Sequence, residues 1–146
     1  MYLLPGAVIF IDANSFGNIF SKAFDRTQLG IYEGIKLFAE EAQERGHLLF
    51  HYLPNALIFS EGRVFAKGHD IKVGRGNNPV STFYDEKIID LGKDLDVLWL
   101  RQDPPFDMNY LTTTYLLDFV CKETLVINKP FWVRNFPEKL FEALSQ

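Results

Sequence analysis

Leu95-Asp96-Val97-Leu98-Trp99-Leu100-Arg101-Gln102-Asp103-Pro104-Pro105-Phe106 is the stretch on which the reading of this chain turns. Its first six residues are mostly Val, Leu and Trp and read as a strand. The strand breaks at Arg101 into a loop with two consecutive prolines. Each proline fixes its own φ and restricts the residue before it, so the loop is stiff. Downstream, Asp107 is placed to cap a helix running to about Cys121, its carboxylate accepting from an amide of the first turn. Thr124 to Ile127 reads as another strand. Asn128-Lys129-Pro130, a short connection and a closing helix from about Pro137 follow, with Asn135 and Glu138 at capping-box spacing.

Working upstream, Ala7 to Ile11 is a wholly apolar run ending at Asp12. Runs of this kind suit parallel strands covered on both faces. Beyond a polar loop, Ile31, Ile35, Phe38, Ala39 and Ala42 recur at helical spacing, with Lys36, Glu40, Glu41 and Glu44 on the other face. Gly46 is a helix stop, and Leu48 to Leu53 is the next strand. A strand–helix–strand crossover makes its two strands parallel and right-handed. In the middle of the chain, Leu57–Phe59 and Val64–Ala66 flank Ser60-Glu61-Gly62-Arg63 as a small antiparallel hairpin. Gly68 to Ser81 reads as a glycine-rich surface loop, and Thr82 to Gly92 as a short helix.

The expected fold is therefore α/β: an open, mostly parallel, Rossmann-like sheet with helices on both faces and a small antiparallel hairpin insertion. The expected strand order is 2-1-3-4, which makes the connections diverge between the first strand and the strand ending at Leu100. Ligands of such sheets bind beyond the carboxyl ends of the strands at that switch point, and the residues placed there are Asp12 and Arg101. A guanidinium fork on a stiff loop suits bidentate capture of a carboxylate; alternatively, Arg101 pairs with Asp103 or Asp12 and anchors the loop. Asp12 either orients Arg101, bonds a ligand amine, or caps the loop after its strand. Capping roles account for Asp103 and Asp107.

The 146 residues suffice for one domain with one core, and 47% hydrophobic with 23% charged content is ordinary for a globular protein. A net charge of −4 with scattered Lys and Arg argues against nucleic-acid and membrane-surface binding. Cys121 is the single cysteine, which rules out an intrachain disulfide. Its apolar surroundings predict a buried, inert thiol in a reducing compartment. No basic signal segment and no bilayer-length apolar stretch occur, so a cytoplasmic location is expected. His47 and His51 have the i, i+4 spacing of some zinc sites, but on a strand they stand roughly 13 Å apart at about 3.3 Å per residue. No metal site built from side chains alone is expected. Gly74-x-Gly76 lacks the third glycine of a dinucleotide fingerprint, having Pro79 there, and no phosphate loop occurs. The chain carries no self-contained catalytic machinery.

The string from Asp94 to Tyr110, with Arg-x-Asp-Pro-Pro-Phe-Asp at its centre, resembles the prokaryotic glutathione synthetase family. So do Thr124 to Pro130, Arg134-Asn135, Glu138-Lys139-Leu140-Phe141 and Glu41 to His47, a likeness covering roughly residues 36 to 146. This resemblance implies a pre-ATP-grasp substrate-binding domain in residues 1–138, with residues 139–146 opening an ATP-grasp region that the chain lacks. It implies an ATP-dependent ligase that joins γ-glutamylcysteine to glycine. ATP would phosphorylate the dipeptide's terminal carboxylate, the glycine amine would displace the phosphate, and Mg2+ would neutralise the transferring charge. Arg101 would hold γ-glutamylcysteine and Lys139 would reach the nucleotide. A homo-oligomer is implied too, as is an inactive isolated chain. The segment from Ala13 to Gly30 departs from the family pattern, being longer and lacking its Asp-Ser/Thr-rich entry to the first helix, which bears on any contact from Asp12. Two other readings are a stand-alone small-molecule-binding or regulatory module, and the matching domain of another ATP-grasp ligase. The Arg-x-Asp-Pro-Pro-Phe-Asp string speaks against the latter.

Overall fold

The structure, a computed structural model, describes residues 8–12, 29–74, 81–100 and 106–136, with side chains from residue 37 onward. Its elements are β1 (Val8–Asp12), α1 (Leu29–Glu44), β2 (Leu48–Ser60), β3 (Arg63–Lys72), β4 (Thr82–Asp90), β5 (Val97–Leu100), α2 (Met108–Val120), β6 (Leu125–Ile127) and α3 (Pro130–Asn135). The strands make one six-stranded sheet in the order β4-β3-β2-β1-β5-β6. β1 pairs in parallel with both β2 and β5, and β5 with β6, while β2–β3 and β3–β4 are antiparallel. The four parallel strands thus run β2-β1-β5-β6, the order anticipated for them. The sheet as a whole is mixed, which corrects the mostly parallel expectation.

The antiparallel arm is larger than the hairpin read from the sequence, for two physical reasons. The first is a bulge within β2. Tyr52 faces Gly68 and Leu57 faces Ala66, so three more residues are used on β2 than on β3 between these pairings. The extra chain contains Pro54, which lacks the amide that a ladder requires and is tolerated in such an irregularity. What reads as two short strands is one strand of 13 residues. The second is a bulge in β4. His69 faces Glu86 and Ile71 faces Phe83, leaving Tyr84 and Asp85 together opposite Asp70. That extra residue breaks the alternation that marks a strand, so Thr82–Asp90 does not show a period of two. The helix expected there is a strand, and β3 occupies the first part of the expected loop, through Lys72.

Adjacent strand residues point to opposite faces, and the core divides accordingly. Leu49 and Val97 pack with Ala39 and Ala42 of α1 on one face. Phe50, Leu98 and Leu100 pack with Leu117 and Val120 of α2 on the other. Ala39 is fully buried and Ala42 nearly so, and their small side chains let α1 sit close to the sheet. α1 ends as its sequence indicates: the Gly46 amide donates to Gln43 O at 3.0 Å and that of His47 to Ala42 O at 3.0 Å, with Gly46 at φ 82°. This is the left-handed glycine stop that satisfies the last carbonyls of a helix. α2 begins on Asp107, whose Oδ1 accepts from the Tyr110 amide at 3.0 Å.

Two smaller expectations change. The chain from Pro130 forms α3 where a short connection was expected, with buried Pro130 at its first turn, where a missing amide is harmless. Asn135 ends this helix, its side-chain amide donating to Phe131 O at 2.8 Å, while the closing helix expected from Pro137, with Glu138, lies outside the described residues. Cys121 is exposed at the end of α2 rather than buried. Partial desolvation of its sulfur, then the Asp118 charge, still push its pKa up and disfavour the thiolate.

Candidate functional site

The crossovers locate the site. β1 lies between β2 and β5, so the chain leaving β1 returns on one side and the chain leaving β5 continues on the other. The connection from β1 carries α1 over one face, and the connection from β5 carries α2 over the opposite face. A crevice opens where such connections part, beyond the strand carboxyl ends. Asp12 closes β1 there and is the register partner of Leu100 in β5 and of Tyr52 in β2. Of the three residues singled out from the sequence, Asp12 is placed by its backbone at this edge. Arg101, next after Leu100, lies outside the described residues, as do Gln102 to Pro105 and Lys139.

The described walls of the edge are firm. Leu100 is 3% exposed. Phe106 rests against Tyr110 with ring centroids 4.9 Å apart, and the Asp107 cap fixes the start of α2. The described residues on either side of positions 101–105 are therefore packed. Asp107 spends its carboxylate on the cap, in agreement with the role assigned to it. His51 sits on β2, as the strand reading required, so His47 and His51 share no helix face. Among the described residues, no group of three or more His, Cys, Asp or Glu converges to hold a metal ion.

Other clusters escaped the sequence. The Arg63 guanidinium bonds Asp90 at 2.5 and 3.1 Å and Glu123 at 2.9 Å, joining β3, β4 and the end of α2. The Arg63 hydrogen bonds, helped by the Gly92 amide, hold the Asp90 carboxyl below its ordinary range against the opposing effect of burial. This cluster lies at the amino end of β5, away from Asp12, and serves the fold. Its members are up to 60 positions apart, and no spacing announces them. Arg134 likewise pairs with Asp118 at 2.7 Å and covers the Tyr115 ring at 4.4 Å, fastening α3 to α2. Beside Tyr52, a cavity of about 260 Å³ is lined by His51, His69, Lys67 and Glu86. His51 and His69 are register partners, a relation visible only once the β2–β3 pairing is known. A larger cavity, about 850 Å³, opens instead at the amino end of β2 among Gln43, His47, Asp70 and Lys87. Size alone would point to it, but the crossovers part at the opposite edge, where Asp12 closes β1.

Comparison with known proteins bears on this edge directly. Residues 35–134 match the family described as prokaryotic glutathione synthetase, N-terminal domain. The chain is 50% identical over 101 residues to a glutathione synthetase of Mesorhizobium japonicum, covering 69% of this chain and 32% of that protein. A glutathione synthetase of Brucella melitensis is also 50% identical over 101 residues, with 69% and 32% covered. One of Agrobacterium fabrum is 44% identical, with 69% and 31% covered. The chain thus matches about a third of the length of these curated relatives. The matched span holds the whole antiparallel arm, β5, residues 101–105, α2 and β6.

Proposed function

This chain belongs to the prokaryotic glutathione synthetase N-terminal domain family, and from that premise we propose that it is the substrate-binding part of an ATP-dependent ligase joining γ-glutamylcysteine to glycine. The observation that carries the reading is the register of Asp12 with Leu100 at the point where the crossovers diverge. In this reading Arg101, which follows Leu100 in the sequence, holds the dipeptide from that edge. A guanidinium on a proline-stiffened loop presents two parallel donors to a carboxylate, with little freedom to lose on binding. γ-Glutamylcysteine carries carboxylates to receive them, and in this reading Asp12 meets its ammonium group. Fixing the dipeptide in this way lowers the entropic barrier to its later reaction with glycine.

ATP and Mg2+ belong to the rest of this proposal. The described residues offer neither a metal-ligand cluster nor a phosphate-binding glycine loop. Accordingly, the proposal assigns most nucleotide and metal contacts to an ATP-grasp portion following residue 138, with Lys139 reaching the nucleotide. Residues 1–138 form the pre-ATP-grasp domain in this reading, and the isolated chain is inactive. The complete protein works in the cytoplasm as a homo-oligomer. No described helix is long and apolar enough to cross a membrane.

Calorimetry of this chain with γ-glutamylcysteine, with glycine and with ATP tests the reading. The dipeptide is expected to bind, and Arg101→Ala to weaken it at least tenfold with an unchanged melting temperature. Equal binding by the parent and by Arg101→Ala removes the carboxylate-capture role.

A further inference from the structure

The sheet face that carries α2 also carries a cavity. Alternation along each strand places Leu48 and Phe50 of β2, Asp70 and Lys72 of β3, and Lys87 and Ile89 of β4 on that face. Phe50 and Ile89 are buried in the core cluster that includes Leu117 of α2. Toward the amino end of β2, the cavity of about 850 Å³ opens over these six residues. Its size falls within the roughly 300–1,000 Å³ usual for small-molecule sites. Tyr52, the register partner of Asp12, is farther along β2 toward its carboxyl end, so this cavity is separate from the crevice assigned to the dipeptide.

One wall is the end of α1, and it is fixed in place. Gln43 clasps β3 just past its end through both halves of its amide, donating to Val73 O at 3.1 Å and accepting from the Val73 amide at 2.8 Å. Gly46 then turns the chain toward β2, and His47 follows. The His47 ring lines the cavity and is 7% exposed, yet its enclosed Nδ1 neither gives nor receives a hydrogen bond. Buried polar atoms are ordinarily paired, because an unpaired one forfeits the hydrogen bond that water gave it. A polar atom held in the cavity beside the ring restores that bond. The apolar lining is open as well: Leu48 is 62% and Tyr84 53% exposed, beside the buried Phe50.

The charges of the lining select the ligand. Lys87 and Asp70 neutralise each other at 2.6 Å, and Asp94 accepts from the Asp90 amide at 2.8 Å. Lys72 has no ion-pair partner among the described residues and is the cation left to meet a ligand. We propose that this cavity is a second small-molecule site and that it takes an aromatic carboxylate. The ligand's ring lies over Leu48, Phe50 and Tyr84, and its carboxylate is held by Lys72 and His47. A flat ring suits the pleated floor and the aromatic walls, and an ammonium with no competing partner gives the carboxylate a charge-assisted bond. The inference goes beyond the proposed function, because it concerns the other end of β2 and a different ligand.

Nuclear magnetic resonance of the isotope-labelled chain, titrated with naphthoate, tests the site. Naphthoate is expected to saturate with a dissociation constant below about 1 mM. The backbone amides of His47, Lys72, Tyr84 and Lys87 shift, and so do the His47 imidazole nitrogens. Naphthamide, the same ring without the charge, binds roughly tenfold more weakly. Lys72→Met, at an exposed position, brings naphthoate to that weaker level with an unchanged melting temperature. Absence of saturable shifts overturns the proposal. So do shifts centred on Phe119 and Trp132 instead, equal affinity for the two probes, or undiminished binding by Lys72→Met. Displacement of naphthoate by γ-glutamylcysteine merges the two sites and also removes the inference. Naphthoate binding at these residues in a chain that does not bind the dipeptide upholds it and sinks the dipeptide reading alone.

Discussion

Replacing Gly68 with alanine is expected to strain the sheet at one identifiable atom pair. A Cβ built on Gly68 lies 2.2 Å from the His51 carbonyl oxygen and 2.9 Å from Phe50 Cζ. The Phe50 ring can rotate away in part, but the carbonyl belongs to the β2 backbone and is tied into the β2–β3 ladder. Reaching even the 3.0 Å floor of real contacts requires about 0.8 Å of separation between the strands. β3 cannot shift freely in the other direction, because Gly68 also pairs with Lys87 of β4. Overpacking of this severity costs about 3 kcal/mol. At roughly 3–4 °C per kcal/mol for a chain of this size, the melting temperature falls by about 10 °C. Gly62 is the control for a separate mechanism: it has φ +76° with nothing within 4 Å of its Cβ position. Alanine there meets only the left-handed backbone penalty of about 1–2 kcal/mol, and asparagine, which tolerates that conformation, costs less. Thermal melts followed by circular dichroism measure all three variants. A Gly68→Ala melting temperature within about 2 °C of the parent, or a loss smaller than that of Gly62→Ala, refutes the close-approach account.

Other outcomes follow from single contacts. Leu117→Ala empties a fully buried position between α2 and the sheet and lowers stability in urea by about 2–5 kcal/mol with little change in m-value. Asp107→Ala removes the α2 cap and costs about 1 kcal/mol, while Asp107→Asn or Ser restores most of it; an unchanged urea midpoint in the alanine variant contradicts the cap. Asp90 gives a pH dependence of definite sign. Its folded pKa lies below the ordinary 3.8, so the unfolded state binds the proton more readily. Its stabilising contribution is therefore complete above pH 3.8 and is lost as pH falls through the folded value. Melting temperatures between pH 2 and 5 should fall less steeply for Asp90→Asn than for the parent, and parallel curves would exclude the Arg63 contact as the cause.

Local chemistry was enough to read the parallel half of the molecule. Apolar runs at Ala7–Ile11 and Val97–Leu100, the glycine stop at Gly46 and the cap at Asp107 each act through neighbours within a few residues. Because crossover handedness is general, these local signals also carried the order of the four parallel strands and the position of Asp12 at the switch point. The antiparallel arm was decided by contacts between distant segments. Tyr84 and Asp85 share one partner on β3, and Leu53 to Ala56 loop out around Pro54, so the alternation that a strand should show is interrupted where it would have been read. The Arg63, Asp90 and Glu123 cluster and the contact of Phe59 with Phe119 likewise exist only because folding brings segments 27 to 60 positions apart together. A side chain's spacing along the chain reports its neighbours only within a helix or a strand. Across a bulge, or between elements, neighbours are set by which backbone groups find partners, and that is a property of the folded sheet.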